Sequence, residues 1–248
     1  MNYELHSFTN TKQLELALAT KWIQLISGLA PNPRFLAISG GRGAELLFNG
    51  LVNAAKNIIL DLSNVHFFWV DDRCVLPNAE ESNYALAQKL FLRPMEISNP
   101  CIHRILTEIP PVQAVELIEN EVDQLVPKNS QDLPMFDLVV LGMGEDGHIA
   151  SLTADPEIEY LGSKGYYAVV NTPKPPPKRI TLTMPVLAAA RHAWVIIAGP
   201  GKSNALANSI KRNGTTALAQ LIRLRQKTIL FSEQQNLEIV KESENDQY

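Results

Sequence analysis

Apolar residues recur at helical spacing from residue 10 to 30, with Leu14, Leu18, Trp22, Leu25 and Ile26 on one stripe. The period then changes, and RFLAIS reads as a short buried strand that runs straight into Gly40 and Gly41. Helical spacing resumes to about Leu60, and VHFFWVD at 65–71 is again strand-like, which makes a βαβ succession. SNYALAQKLF and VQAVELIENEVDQLV read as helices before the strand FDLVVLG at 136–142. YYAVVN, a proline run at 173–177 and RITLTMPVL follow, then the strand AWVIIAG at 193–199, a helix from Lys202 and a last strand TILFS at 228–232. Strands alternating with helices, without internal repeats, predict an α/β fold over residues 1–248. The expected form is a single domain, its core at about 10–232, with a mostly parallel sheet and helices on both faces. Ligands of such sheets bind beyond the carboxyl ends of the strands.

A 248-residue chain that is 46% hydrophobic has enough apolar matter for a sizeable core. Its formal charge of −4 and lack of a dense Lys/Arg run provide no field for nucleic acid or an anionic membrane surface. Attraction for an anionic ligand must therefore be local. The first ten residues carry acidic and polar side chains unlike a signal peptide, and no apolar run is long enough to span a bilayer. Cys74 and Cys101 are too few for a disulfide framework and have no CxxC spacing, so a reducing cytoplasm is expected, with no structural metal.

Four strand ends hold the chemistry-bearing residues. At Ser39-Gly40-Gly41-Arg42-Gly43 a strand enters a helix, and the glycines either make a tight turn or let backbone N–H groups approach an anion at the helix start. Asp71-Asp72-Arg73 is either a helix-cap arrangement or a set of contacts for sugar hydroxyls and phosphate, while Ser82-Asn83 looks like the N-cap of the next helix. GMGEDGH at 142–148 formally matches a dinucleotide fingerprint. The early proline downstream and the lack of a suitable acid after YYAVVN speak against that ligand. What remains is His148 beside Asp146: either a structural loop histidine, or a proton acceptor whose tautomer a carboxylate holds. In KPPPKRITLT and GPGK, Arg179 and Lys202 are suitable anion partners, whereas Lys178 reads as solvated charge.

Taken in order, SGG, VDDRCV followed by SN, IHRI, GMGEDGHIASL, KPPPKRITLT and GPGKSNAL resemble the 6-phosphogluconolactonase family over about residues 10–232. The resemblance implies a fold similar to that of glucosamine-6-phosphate deaminase and ribose-5-phosphate isomerase. It also implies hydrolysis of a sugar-phosphate lactone without cofactor or metal. By the same resemblance His148 is the catalytic base, while Asp71 and Arg73 contact substrate; on chemical grounds Asp146 is expected to orient the imidazole. Gly40, Gly41 and Arg42 belong to the sugar-phosphate loop, and Arg179 and Lys202 hold phosphate. The chain departs from the family pattern with Arg42-Gly43-Ala44 in place of Ser-Thr-Pro, Asp72 in place of Glu, SLTADP in place of SLFP, and Phe231-Ser232 in place of Leu-Asp. Two other readings stay open: an isomerase or deaminase using Asp71 at carbon 2, and a catalytically silent sugar-phosphate binder.

Overall fold

The computed structural model describes residues 2–28 and 33–237. Residues 29 and 30, to which the periodicity extends the first helix, lie outside the described residues, as do residue 1 and residues 238–248 of the expected domain. The chain starts with β1 (Tyr3–Phe8), α1 (Thr11–Gly28), β2 (Arg34–Ile38), α2 (Gly41–Ala55) and β3 (Val65–Trp69). After β4 (Asp71–Arg73) come α3 (Asn83–Ala87), a π turn, β5 (Ile102–His103), α4 (Pro111–Leu125) and β6 (Leu138–Gly142). Strands β7 (Glu157–Leu161), β8 (Tyr167–Asn171) and β9 (Lys178–Leu182) precede α5 (Met184–Ala189). The described chain then runs through β10 (His192–Ile197), α6 (Ser203–Ile210), α7 (Ala217–Leu224) and β11 (Thr228–Glu233).

Seven strands form a parallel sheet in the order β1-β11-β10-β6-β2-β3-β5. The crossovers β1-α1-β2 and β2-α2-β3 step one way across it, while β5-α4-β6 and the path from β10 to β11 through α6 and α7 step the other way. Right-handed crossovers therefore set α1 and α2 on one face and α4, α6 and α7 on the opposite one, in line with the packing of α1 on α2 and of α6 on α7. The expected parallel sheet covered on both faces is what forms. Its inner strands are continuous apolar runs because they are buried on both sides: Leu138, Val139, Val140 and Leu141 of β6 are all within 1% of full burial. Each such side chain contributes on the order of 1.5–3 kcal/mol.

Three features differ from the sequence expectation. The second helix stops at Ala55 rather than near Leu60, because the N–H groups of Lys56, Asn57 and Ile58 turn back onto the carbonyls of Asn53 and Ala54. Ile58 and Ile59 are then exposed, so their apolar character is not a burial signal. Strand β1 precedes the expected core and forms a half-buried edge beside β11. The segments Asp71–Arg73, Glu157–Leu161, YYAVVN and RITLT make a separate antiparallel sheet in the order β4-β9-β8-β7. This small sheet carries two arginines to the mouth of the large one.

Candidate active site

The direction of chain progression reverses between neighbouring strands β2 and β6, and the loops leaving their carboxyl ends diverge there, as they do wherever an open α/β sheet holds a ligand. A cleft of about 320 Å³ opens at this point. Gly40, Gly41, Arg42, Asp71, Arg73, His148, Arg179 and Lys202 all line it, and Asp146 lines a smaller cavity that it shares with His148 and Arg179. Segments far apart in the chain thus bring all of the candidate site residues together. Lys178 does not join them; it pairs with Glu159 at 3.0 Å.

The loop after β2 hands over to α2 through Gly40, which caps the helix without a side-chain bond, and Gly41, whose φ of 74° is left-handed. The free N–H groups of the first turn therefore face the cleft, a favourable end for an anion. Glycine is required at 40 for a second reason. A Cβ there would stand 2.0 Å from Asn83 Oδ1, so the bare backbone lets the Asn83 side chain in. Asn83 Nδ2 in turn donates to the Asp71 carbonyl at 2.8 Å and to Asp71 Oδ1 at 3.2 Å.

Along β4 the side chains alternate. Asp71 faces the cleft, its Oδ2 accepting from Ser151 Oγ at 2.6 Å. Asp72 turns inward and takes the N–H groups of Arg73, Asn83 and Tyr84 and the hydroxyl of Ser82. Burial pushes the Asp72 carboxyl up, against the pull of those three N–H groups, and the neighbouring Asp71 charge adds to the rise. The helix-cap reading of the acidic triplet is realised by Asp72, which braces the start of α3, whose N-cap is Ser82 as expected, while Asp71 stands on the other face of the strand. Arg73 stands directly across the antiparallel pair from Arg179. Burial, and then the Arg73 charge, lower the pKa of Arg179, with Asp71 opposing. Among the described residues the Arg179 guanidinium has no carboxylate partner; it donates to the carbonyls of Pro176 and Lys174, both at 3.1 Å. Two buried polar atoms of cleft-lining residues, Ser39 Oγ and Arg73 Nε, have no hydrogen-bond partner among the described residues.

The loop after β6 is a tight turn closed by Gly144 N–H donating to the His148 carbonyl at 2.8 Å and Gly147 N–H to the Gly144 carbonyl at 3.1 Å. It brings His148 Nδ1 to 2.5 Å from Asp146 Oδ1. Partial burial opposes ionisation of Asp146, but the charge and hydrogen bonds of His148 outweigh it and hold this carboxyl below its ordinary range. Nδ1 being taken, Nε2 is the nitrogen left for chemistry. Across the cleft, Lys202 Nζ donates to the Met143 carbonyl at 2.6 Å, and burial lowers its pKa while Glu145 counteracts. Arg42 lies against Gly199, whose N–H is held at 2.8 Å by the buried carboxylate of Glu233. Sequence reasoning passed over Lys174, Glu145 and Glu233. Lys174 sits inside the proline segment that was singled out, whereas Glu233 lies one residue beyond the Phe231-Ser232 departure and shows its role only through Gly199.

Five cations (Arg42, Arg73, Lys174, Arg179 and Lys202) line the cleft against two carboxylates, Asp71 and Glu145, in a chain of overall charge −4. Among the described residues no group of three or more His, Cys, Asp or Glu is placed to hold a metal ion, and no helix is long and apolar enough to cross a membrane.

Fold and cleft define an α/β protein with a cationic, histidine-bearing site at the switch point of a parallel sheet. The chain belongs to the family of glucosamine-6-phosphate isomerases/6-phosphogluconolactonase, whose model matches residues 9–231. A probable 6-phosphogluconolactonase 2 of rice is 34% identical over 221 residues, covering 86% of this chain and 78% of that protein. The chloroplastic 6-phosphogluconolactonase 3 of Arabidopsis thaliana is 32% identical over 202 residues, 79% of this chain, which spans only 62% of that longer protein. The 6-phosphogluconolactonase structure from Trypanosoma cruzi superposes with a TM-score of 0.83 at 22% identity, over 95% of this chain and 96% of the other, a likeness of fold.

Proposed function

We propose that this chain is a cytoplasmic, single-domain lactonase that hydrolyses the 1,5-lactone of 6-phosphogluconate, with His148 as the general base. The observation that carries the reading is the His148–Asp146 pair, 2.5 Å apart, at the wall of a cleft with cations on both sides. Asp146 accepts a hydrogen bond from Nδ1–H and stabilises the imidazolium, leaving Nε2 to take a proton from water as its oxygen attacks the lactone carbonyl. The resulting oxyanion is stabilised by Arg73, whose buried Nε has a bond to offer, and Arg179 lends charge from the facing strand. Collapse breaks the bond from the carbonyl carbon to the ring oxygen, which leaves with the proton from His148 as a hydroxyl. The product is a carboxylate, its acid proton passing to solvent. Phosphate is held at the other end by the first turn of α2, with Arg42 and Lys202, so that binding energy remote from the carbonyl places the ring. Asp71 has both oxygens engaged by Ser151 and Asn83, which suits a fixed contact for sugar hydroxyls better than a proton shuttle at carbon 2 and so favours the lactonase over an isomerase or deaminase.

The test is lactone hydrolysis by the purified protein, followed as proton release and corrected for spontaneous opening. His148→Ala should keep the fold and lose on the order of a hundredfold or more in turnover. Turnover near that of the parent would remove His148 from the mechanism.

A further inference from the structure

We propose that the small cavity beside His148 seats the hydrolytic water, and that Thr153 is a positioning residue for it; the inference rests on the lactonase reading above. His148 stands in the wall of two spaces, the open cleft of about 320 Å³ and a second one of about 10 Å³. The first has the size for a sugar phosphate. The second matches the roughly 10–15 Å³ that one water molecule occupies. Most of its wall is apolar, but Asp146, Ser151, Thr153, Thr172 and Arg179 bring polar groups to it beside the imidazole, enough to supply the two to four partners a bound water needs.

The hydrogen-bond roles around this space are already divided. Ser151 gives its hydroxyl proton to Asp71 at 2.6 Å, and Thr172 gives its own to the carbonyls of Lys174 and Pro177 at 3.1 and 3.3 Å, so each oxygen has only acceptor capacity left for a newcomer. His148 lines the same space, and with Nδ1 bound to Asp146 the acceptor it has left is Nε2. A water there has one proton for His148 and one for a hydroxyl oxygen. Thr153, whose hydroxyl rotates freely about its bond, is the donor that fixes one lone pair and leaves the other for the carbonyl carbon. The balance is that of the hydrolysis itself: the oxygen–carbon bond forms as His148 takes the proton.

The experiment compares Thr153→Val, of equal shape without the hydroxyl, Thr153→Leu, which fills the space, and Thr153→Ser. Turnover should fall on the order of tenfold for Val, the loss expected for one hydrogen bond, and further for Leu. KM and the calorimetric affinity for 6-phosphogluconate should stay within about twofold, and Ser should recover most of the loss. Thr153→Ala at this half-exposed position replaces Leu if that variant does not fold. Val and Ala at parental turnover, or turnover and product affinity falling together without recovery in Ser, would overturn the assignment while leaving the lactonase reading intact. A folded parent protein without lactonase activity would overturn that reading, and the water site with it.

Discussion

Gly144→Ala separates the geometry of the proposed His148–Asp146 catalytic pair from the stability of the fold. A Cβ on Gly144 would stand 2.1 Å from His148 Nδ1, 2.2 Å from His148 Cε1 and 2.5 Å from Asp146 Oδ1. Ordinary contacts begin at 3.4 Å, so the imidazole has to retreat by about 1.3 Å, the difference, and the carboxylate by somewhat less. A misplacement of about 1 Å in a catalytic group costs on the order of a hundredfold in rate, or about 2.7 kcal/mol of barrier. Stability should change little. The side chains of His148 and Asp146 are 24% and 47% exposed and can swing toward solvent, and Gly144 is not among the glycines with positive φ, so alanine fits its backbone. Alanine also restricts the unfolded chain, worth about 0.4–1 kcal/mol in favour of the fold. The expected result is a kcat lowered about a hundredfold, in the proton-release assay at fixed pH, with a melting temperature within a few degrees of the parent. A variant that keeps kcat within threefold would show that the loop absorbs the methyl elsewhere, and that the Asp146–His148 distance does not govern the reaction.

Arg42→Ser should weaken 6-phosphogluconate binding by about 1–3 kcal/mol and leave unphosphorylated gluconate nearly unaffected in calorimetric titrations. An equal loss for both ligands would mean the phosphate is held elsewhere. Asp72→Ala removes the acceptor for three backbone N–H groups and the Ser82 hydroxyl, so urea unfolding should show a loss of about 2–4 kcal/mol, and a loss under 0.5 kcal/mol would contradict the bracing role. The depressed carboxyl of Asp146 stabilises the native state above the ordinary carboxylate pKa near pH 4, and that contribution is lost as pH falls through its lower native value. Asp146→Asn should therefore flatten part of the acid limb of stability against pH; an unchanged limb in denaturant melts between about pH 6 and 3 would count against this coupling.

How much of this was legible in the chain depended on how local the signal is. Strands β2, β3, β6, β10 and β11 show as apolar runs because both sides of each are covered, and the glycines after β2 and β6 mark the loops where ligands enter. The motif order alone points to Asp146, His148, Arg179 and Lys202, which the fold gathers around the cleft and the small cavity beside it. By contrast β7 is largely exposed and β1 only half-buried, so neither carries a burial pattern to read. The division of labour between Asp71 and Asp72 also escapes a linear reading, because two adjacent carboxylates differ only in which face of β4 they occupy.

By itself, then, the sequence determined the class of fold, the strand ends that surround the cleft and most of the charged side chains that line it, since hydrophobic period and turn chemistry act within a few residues. Only the tertiary structure decided that Arg73 faces Arg179 across an antiparallel pair, that Gly40 makes room for Asn83, and that Gly144 makes room for His148 and Asp146. It alone decided that Thr153 and Thr172 meet beside the imidazole. The reason is physical: sheet register and close packing are set by contacts between segments far apart in the chain, and the energy that selects them belongs to the whole core rather than to any stretch of it.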